Sequence, residues 1–479
     1  MGCSGYKSFY TIIPQNHPKE NSILLIDEKR GVFLYNTISN IIVQINSLLW
    51  GNFTVLLIFS AAIFLTVRTG FVQFRHPLKL LRFTLLAGKK ENSDSSKGVS
   101  RLQALSTALG ASMGTGNIIG VATAISIGGC GAVFWMVVSA FFVMGFAFTE
   151  NVLGVHFKKK FPQEKSVIGP LLYIEKGLDS RFAAVVYAIF CLLTSFGIGN
   201  FTQANSAINS LDEFGVSSIL GGAVLACAVG IVIFRGSRFV ALVSEKTVPL
   251  MSVLYILCAV AVIIISGNNI AEILIRIIKS AFGLQQAAGG FAGTIINISL
   301  TTGLRRGIFS NEAGMGSSVF AHTSTDCNEP CTMGLWAIAE VFIDTVLSCT
   351  LTALVILCTG ADLSGKDGAH MVIEAFRRCL GNGGAYFVAA ANIVFAFAAI
   401  TGWYYYGEKC ADYLSQGRTL KILYRIFYTA AVFIGAVSAS SLLWQLSDIL
   451  NAFVLFPNLA AILILSNEAV PYARKFNQK

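Results

Sequence analysis

Gly114-Thr115-Gly116-Asn117 lies in the middle of a stretch, Leu105 to Ile125, that is apolar and long enough to cross a bilayer. About 20 residues at 1.5 Å each cover the ~30 Å of hydrocarbon. Glycines at 110, 114, 116 and 120 weaken the helix there. A break at that depth frees N–H and C=O groups that hydrocarbon cannot satisfy, so it must line a cavity or hold something. The chemistry on offer is specific. N–H groups of Thr115, Gly116 and Asn117, opening the second half helix, suit a carboxylate. Carbonyls of Gly110, Ala111 and Ser112, closing the first half, suit a small cation such as Na⁺. The competing reading is helix packing, because Gly110/Gly114 and Gly116/Gly120 are small-xxx-small pairs. Packing, however, needs no asparagine at mid-depth.

A second polar, glycine-rich stretch runs from Gly303 to Gly316. Its first half helix would aim a negative end at the same depth and suit an ammonium. Together the two breaks describe a site for a zwitterion. Asn200, Gln203 and Asn205 fall within six residues on another apolar segment, as in a cavity wall, although buried amides also serve as interhelical bonds. Trp403 of Trp403–Tyr406 lies too deep for an interfacial belt and reads as an apolar lid or wall. Arg305 and Arg306 are costly in lipid, so they should face a water-filled vestibule or pair with an acid such as Glu312, Glu340 or Asp344. No nucleophile–base pair, Walker loop or metal motif is present, so neither an enzyme nor an organic cofactor is expected. Cys327 and Cys331, with His322 upstream, lack a fourth zinc ligand.

The elements that must position these groups are membrane spans. Of 479 residues, 54% are hydrophobic and 13% charged, with mean hydropathy +0.68, against roughly 25% charged in soluble domains. The fold class is an all-α membrane protein. Eleven apolar segments are predicted, at 38–67, 102–127, 131–157, 181–211, 216–235, 240–266, 291–325, 332–360, 384–410, 421–440 and 446–466. The net charge of +10 comes from basic residues in alternate gaps, such as Lys158–Lys160, so it points to the positive-inside rule and not to nucleic acid. That rule predicts the plasma (inner) membrane, with the N-terminus outside and the C-terminus in the cytoplasm. Most of the 11 cysteines lie in apolar runs and act as small hydrophobes.

Spans two to six and seven to eleven form two sets of five, each opening on a broken span and each with an interfacial helix, Gly169–Asp179 and Ala369–Leu380. An odd number inverts the second set relative to the first, the organisation of secondary transporters that bind substrate at the midplane. The chain then divides into an extracytoplasmic extension (1–37), a leading span with a basic loop (38–101), two repeats (102–266 and 267–466) and a tail (467–479). A channel would need a continuous polar stripe or a ring of subunits, against which the paired breaks argue. Nothing in the sequence assigns an oligomeric state.

ALSTALGASMGTGNIIGVATA, GGCGAVFWM, FGIGN-x-x-Q-x-NS, RGIFSNEAGMGS and GWYYYGEKCADYL resemble the alanine/glycine:cation symporter family, in register from about Gly51 to Ser466. The resemblance implies a leucine-transporter-like fold of ten core spans plus a leading one. It also implies Na⁺-coupled uptake of alanine or glycine, L or D. On it, Thr115 and Gly116, beside Asn117, would hold the carboxylate. Gln203, Phe309 and Asn311 would contact the amino acid, and Phe196 and Trp403 would close a methyl-sized pocket. In one place the chain departs from the pattern. Ala398-Ala399 stands where the family usually has Ser-Thr, leaving Gly110, Ala111, Ser112 and the Ala399 carbonyl as a weaker cage for a hard cation. Proton coupling is the alternative that this departure raises.

Overall fold

The computed structural model describes residues 37, 39–75, 100–164, 167–283, 292–415, 417–438 and 441–478. The predicted extension at 1–37, apart from Thr37, and most of the basic loop after the first span lie outside them. Described helices long and apolar enough to cross a membrane number eight. These are α1 (Ser39–Arg68), α4 (Gly131–Lys160), α6 (Arg181–Asp212), α8 (Ser237–Ile265), α12 (Pro330–Cys358), α13 (Gly368–Leu414), α14 (Arg418–Val437) and α15, which spans Ser441–Gln478. α7 (Ser218–Phe234) is apolar but shorter, and α9 spans Ile270–Ala281.

Both predicted interruptions are present. The first separates α2 (Arg101–Ser112) from α3 (Ile119–Gly128), with an extended Gly114 and a 3₁₀ turn at Thr115–Asn117 between them. α2 starts at a capping box, in which Gln103 N–H donates to Ser100 Oγ and Ser100 N–H to Gln103 Oε1. Two orphan donors are thereby satisfied. The second interruption is shorter than expected. α10 (Ala292–Asn311) runs through Gly303, Arg305 and Arg306, and the chain leaves the helix only between Glu312 and Gly316, before α11 (Ser317–Thr323). Glu312 takes a left-handed conformation at φ 53°, as do Gly314 and Gly316.

Gly303 and Gly307 therefore pack helices. A Cβ at Gly303 would overlap the Ala132 carbonyl and lie 2.8 Å from Trp135 Cβ, and one at Gly307 would meet Ser139. The pair lets α10 lie directly on α4. Gly303→Val is expected to destabilise the fold by about 1–3 kcal/mol through overpacking. Thermal unfolding in detergent should show a lower midpoint; an unchanged midpoint would mean that the two helices part freely.

The two predicted interfacial helices are present, and each packs its apolar face on the rest of the protein. α5 (Pro170–Gly177) buries Leu171, Leu172, Tyr173 and Ile174 and abuts the second break, where a Gly316 Cβ would touch Pro170. Ala369–Leu380 forms the first part of α13, ahead of a bend at Gly381 (φ 62°), and buries Met371, Val372, Ile373 and Phe376.

Candidate functional site

Two π-helical turns face the breaks, and each frees backbone groups that an α-helix would use internally. In α6 the turn at Gly197–Phe201 releases the Ile198 carbonyl, which accepts from Gln203 Nε2 at 3.1 Å. This orients the amide so that Gln203 Oε1 accepts from both Thr115 N–H (2.9 Å) and Thr115 Oγ1 (3.0 Å). The first break thus holds an oxygen where a carboxylate oxygen would fit. Gly114 makes room for it, since a Cβ there would lie 2.6 Å from that oxygen.

The second π-helical turn, Phe342–Cys349 in α12, carries Asp344. Asn117 Nδ2 donates to Asp344 Oδ1 (2.9 Å) and to its backbone carbonyl (3.0 Å). The Ser310 hydroxyl lies 3.0 Å from both Asn117 Oδ1 and Asp344 Oδ2, and Thr345 Oγ1 donates to Asp344 Oδ2 at 2.7 Å. Asn117, Ser310, Asp344 and Thr345 thus bring five side-chain oxygens together from the first break, the end of α10 and α12, all buried.

Between the breaks lies a cavity of about 40 Å³, whose wall includes Ser112, Thr115, Gly116, Gln203, Phe309 and Glu312. At 10–15 Å³ per water this is about three waters. Glu312 Oε1 accepts from Trp403 Nε1 (2.7 Å) and Oε2 from Ser317 (2.9 Å), so both oxygens are held at the chamber edge. Ser112 Oγ is buried without a hydrogen-bond partner in the protein. Towards the start of α10 the wall continues through Arg306 and through Trp444, Ser447 and Asp448 of α15.

Four predicted site residues line this chamber, namely Thr115, Gly116, Gln203 and Phe309, together with Ser112 from the predicted ion set. The others stand behind the wall. Asn117 belongs to the Asp344 network. Asn311 holds the second break, with Oδ1 accepting from Ala313 N–H (3.1 Å) and Nδ2 donating to Thr345 (3.3 Å). Trp403 is fully buried and braces Glu312, and Phe196 packs on Tyr424 and Tyr428. Gly110, Ala111 and Ala399 lie in a close helix–helix contact, in which a Cβ on Gly402 would come within 2.9 Å of Ala111. Thr401 donates back to the Phe397 and Ala398 carbonyls in its own helix.

Arg305 pairs with Asp448 at 2.5 Å, not with Glu312, Glu340 or Asp344. Its guanidinium also lies over the rings of Trp50 and Phe309, themselves 4.6 Å apart. Glu340 pairs instead with His322 (3.0 Å). Sequence reasoning missed Asp448, Ser447 and Trp444, although their i, i+3, i+4 spacing marks one polar face on an apolar helix.

The sequence profile described as the sodium:alanine symporter family matches residues 35–479. The sodium/alanine symporter AgcS of Methanococcus maripaludis is 36% identical over 445 residues, covering 91% of this chain and 96% of that one. A probable sodium/glutamine symporter, GlnT of Bacillus subtilis, is 36% identical over 424 residues, covering 88% and 87%. Among solved structures, a Na⁺-coupled sialic acid symporter superposes with a TM-score of 0.55 at 12% identity, over 84% of this chain and 98% of that one. MhsT in complex with L-phenylalanine gives 0.54 at 13%, over 79% and 93%. Those two likenesses speak to the fold. With the profile and the relatives matching nearly end to end, this multi-pass membrane protein belongs to the sodium:alanine symporter family.

Proposed function

We propose that the protein imports alanine or glycine together with sodium by alternating access, through eleven spans arranged as two inverted sets of five after a leading one. The observation that carries this reading is the Thr115–Gln203 contact, in which a backbone N–H and a hydroxyl at a mid-membrane break converge on one oxygen. A substrate carboxylate takes that place, with Gly116 beside it. The ammonium then faces the Glu312 carboxylate, and Phe309 bounds the side chain. About three waters occupy about 90 Å³ in the liquid, so the cavity matches a small neutral amino acid. The relative named for glutamine makes L-glutamine the first larger substrate to try.

Sodium is assigned to the oxygens of Asn117, Ser310, Asp344 and Thr345, because a hard cation favours oxygen ligands and one of these is a carboxylate. The alternative cage, Gly110, Ala111, Ser112 and Ala399, offers one hydroxyl. A proton-coupled carrier is the second reading, favoured by the placement of Asp344 and Glu312 among neutral donors. The orientation assigned is N-terminus outside and C-terminus inside the plasma (inner) membrane.

Uptake of alanine and glycine into proteoliposomes under separately imposed Na⁺ and H⁺ gradients tests this. Accumulation is expected with the sodium gradient alone. Accumulation with only the proton gradient would replace the ion, and none under either would remove the substrate.

A further inference from the structure

The chamber between the breaks carries two sets of polar groups. Thr115, Gly116 and Glu312 meet the charged ends that every amino acid shares. Ser112, Thr202 and Ser447 also line the chamber, and their three hydroxyls take no part in that binding. They come from three elements, α2, α6 and α15. Their hydrogen bonds sort them by role. Thr202 Oγ1 donates to the Ile198 carbonyl (3.0 Å) and Ser447 Oγ to the Leu443 carbonyl (2.7 Å). Each hydrogen is thus used inside its own helix, which leaves both oxygens with lone pairs to accept. Ser112 Oγ is buried with no partner among the described residues, so its hydrogen is there to donate.

Two acceptors and one donor suit a group that itself donates and accepts, and the smallest such group on an amino acid is a hydroxyl. A methyl group does neither and leaves the Ser112 hydroxyl unpaired, which is costly where water is excluded. The placement says which carbon carries the oxygen. The Ile198 carbonyl, released by the π-helical turn, accepts from Gln203 Nε2 as well as from Thr202 Oγ1. One backbone oxygen therefore fixes both the amide that marks the carboxylate position and the hydroxyl beside it. Gly197, in the same turn, lets Ser447 come up to it, since a Cβ there would lie 3.1 Å from Ser447 Oγ. Ser112 ends α2, three residues before Thr115. Donor and acceptors thus stand beside the carboxylate position, as an oxygen on the β carbon requires.

We infer that Ser112, Thr202 and Ser447 form a hydroxyl-recognising subsite, and that β-hydroxy amino acids, L-serine first among them, are carried alongside alanine and glycine. With glycine bound, a water takes the subsite; serine replaces that water with its own oxygen. The inference rests on the transport reading above.

The test uses two side chains of one size and opposite polarity, because L-serine and L-2-aminobutyrate differ only in OH for CH₃. Proteoliposomes holding the full chain take up radiolabelled alanine or glycine under whichever ion gradient drives it. L-serine is expected to inhibit that uptake at about a tenfold lower concentration than L-2-aminobutyrate, as a site that pairs with a hydroxyl rejects the analogue without one. Radiolabelled serine is expected to accumulate. In the double variant T202V/S447A the preference for serine should fall to within about twofold. If the double variant does not yield folded protein, S112A carries the same comparison, with a fall of about threefold. Equal inhibition of wild-type uptake by the two compounds, or inhibition by serine without its accumulation, overturns this inference alone. A serine preference that survives these substitutions overturns the assignment to these hydroxyls. No uptake of alanine or glycine by the wild type under either gradient overturns the inference along with the transport reading.

Discussion

Replacing Asp344 with asparagine is expected to raise the sodium concentration for half-maximal uptake by tenfold or more, at unchanged protein level. Asparagine keeps the size and most of the hydrogen-bonding reach to Asn117, Ser310 and Thr345, so the change is mainly one of charge. Two unit charges ~4 Å apart interact by about 4 kcal/mol at an effective dielectric of 20, and about a third of that is a factor of ten. Sodium titration of initial uptake rates reads the effect. An unmoved half-saturation would shift the ion to the Ser112 side of the first break.

Glu312→Gln is expected to lower uptake at subsaturating alanine by about 30- to 100-fold, because a hydrogen bond between charged partners contributes about 2–3 kcal/mol. The glutamine still reaches Trp403 and Ser317; what is lost is the counter-charge to the ammonium. Glu312 is also one of three described non-glycine residues with positive φ, a conformation costing about 1–2 kcal/mol. Backbone strain of this kind gathers at functional sites, and here it falls at the rim of a cavity. Wild-type uptake by the glutamine variant would assign the ammonium to backbone carbonyls instead.

How much of this was legible beforehand follows from where each residue's partner sits. Gly114 and Gly116 mark their break through their own composition, and Gln203 stands out as an amide in an apolar run. The structure puts the two glycines at the break and Gln203 in the chamber wall. The sequence places Asn117 facing the substrate, but its partner Asp344 is 227 residues away, a distance across which no local pattern speaks. Arg305 is a similar case, since its partner Asp448 lies 143 residues on. Composition puts the second break too early, because glycines advertise one. Gly303 and Gly307 instead let α10 pack on α4, and the actual turn begins at a glutamate whose left-handed backbone its side chain does not announce. Membrane-length helices were the most legible level of all, because their signal is apolar length alone.

The Gln203 oxygen against Thr115 bears on how the carrier gets home. A transporter that has delivered its cargo must reorient with nothing in its grip, and bare N–H and hydroxyl donors at mid-depth would make that return leg steep. Gln203 Oε1 accepts from both Thr115 donors, so under the transport reading proposed above these groups need not stand unpaired on that leg. A carrier whose return leg is eased in this way would accumulate cargo instead of merely swapping it one for one.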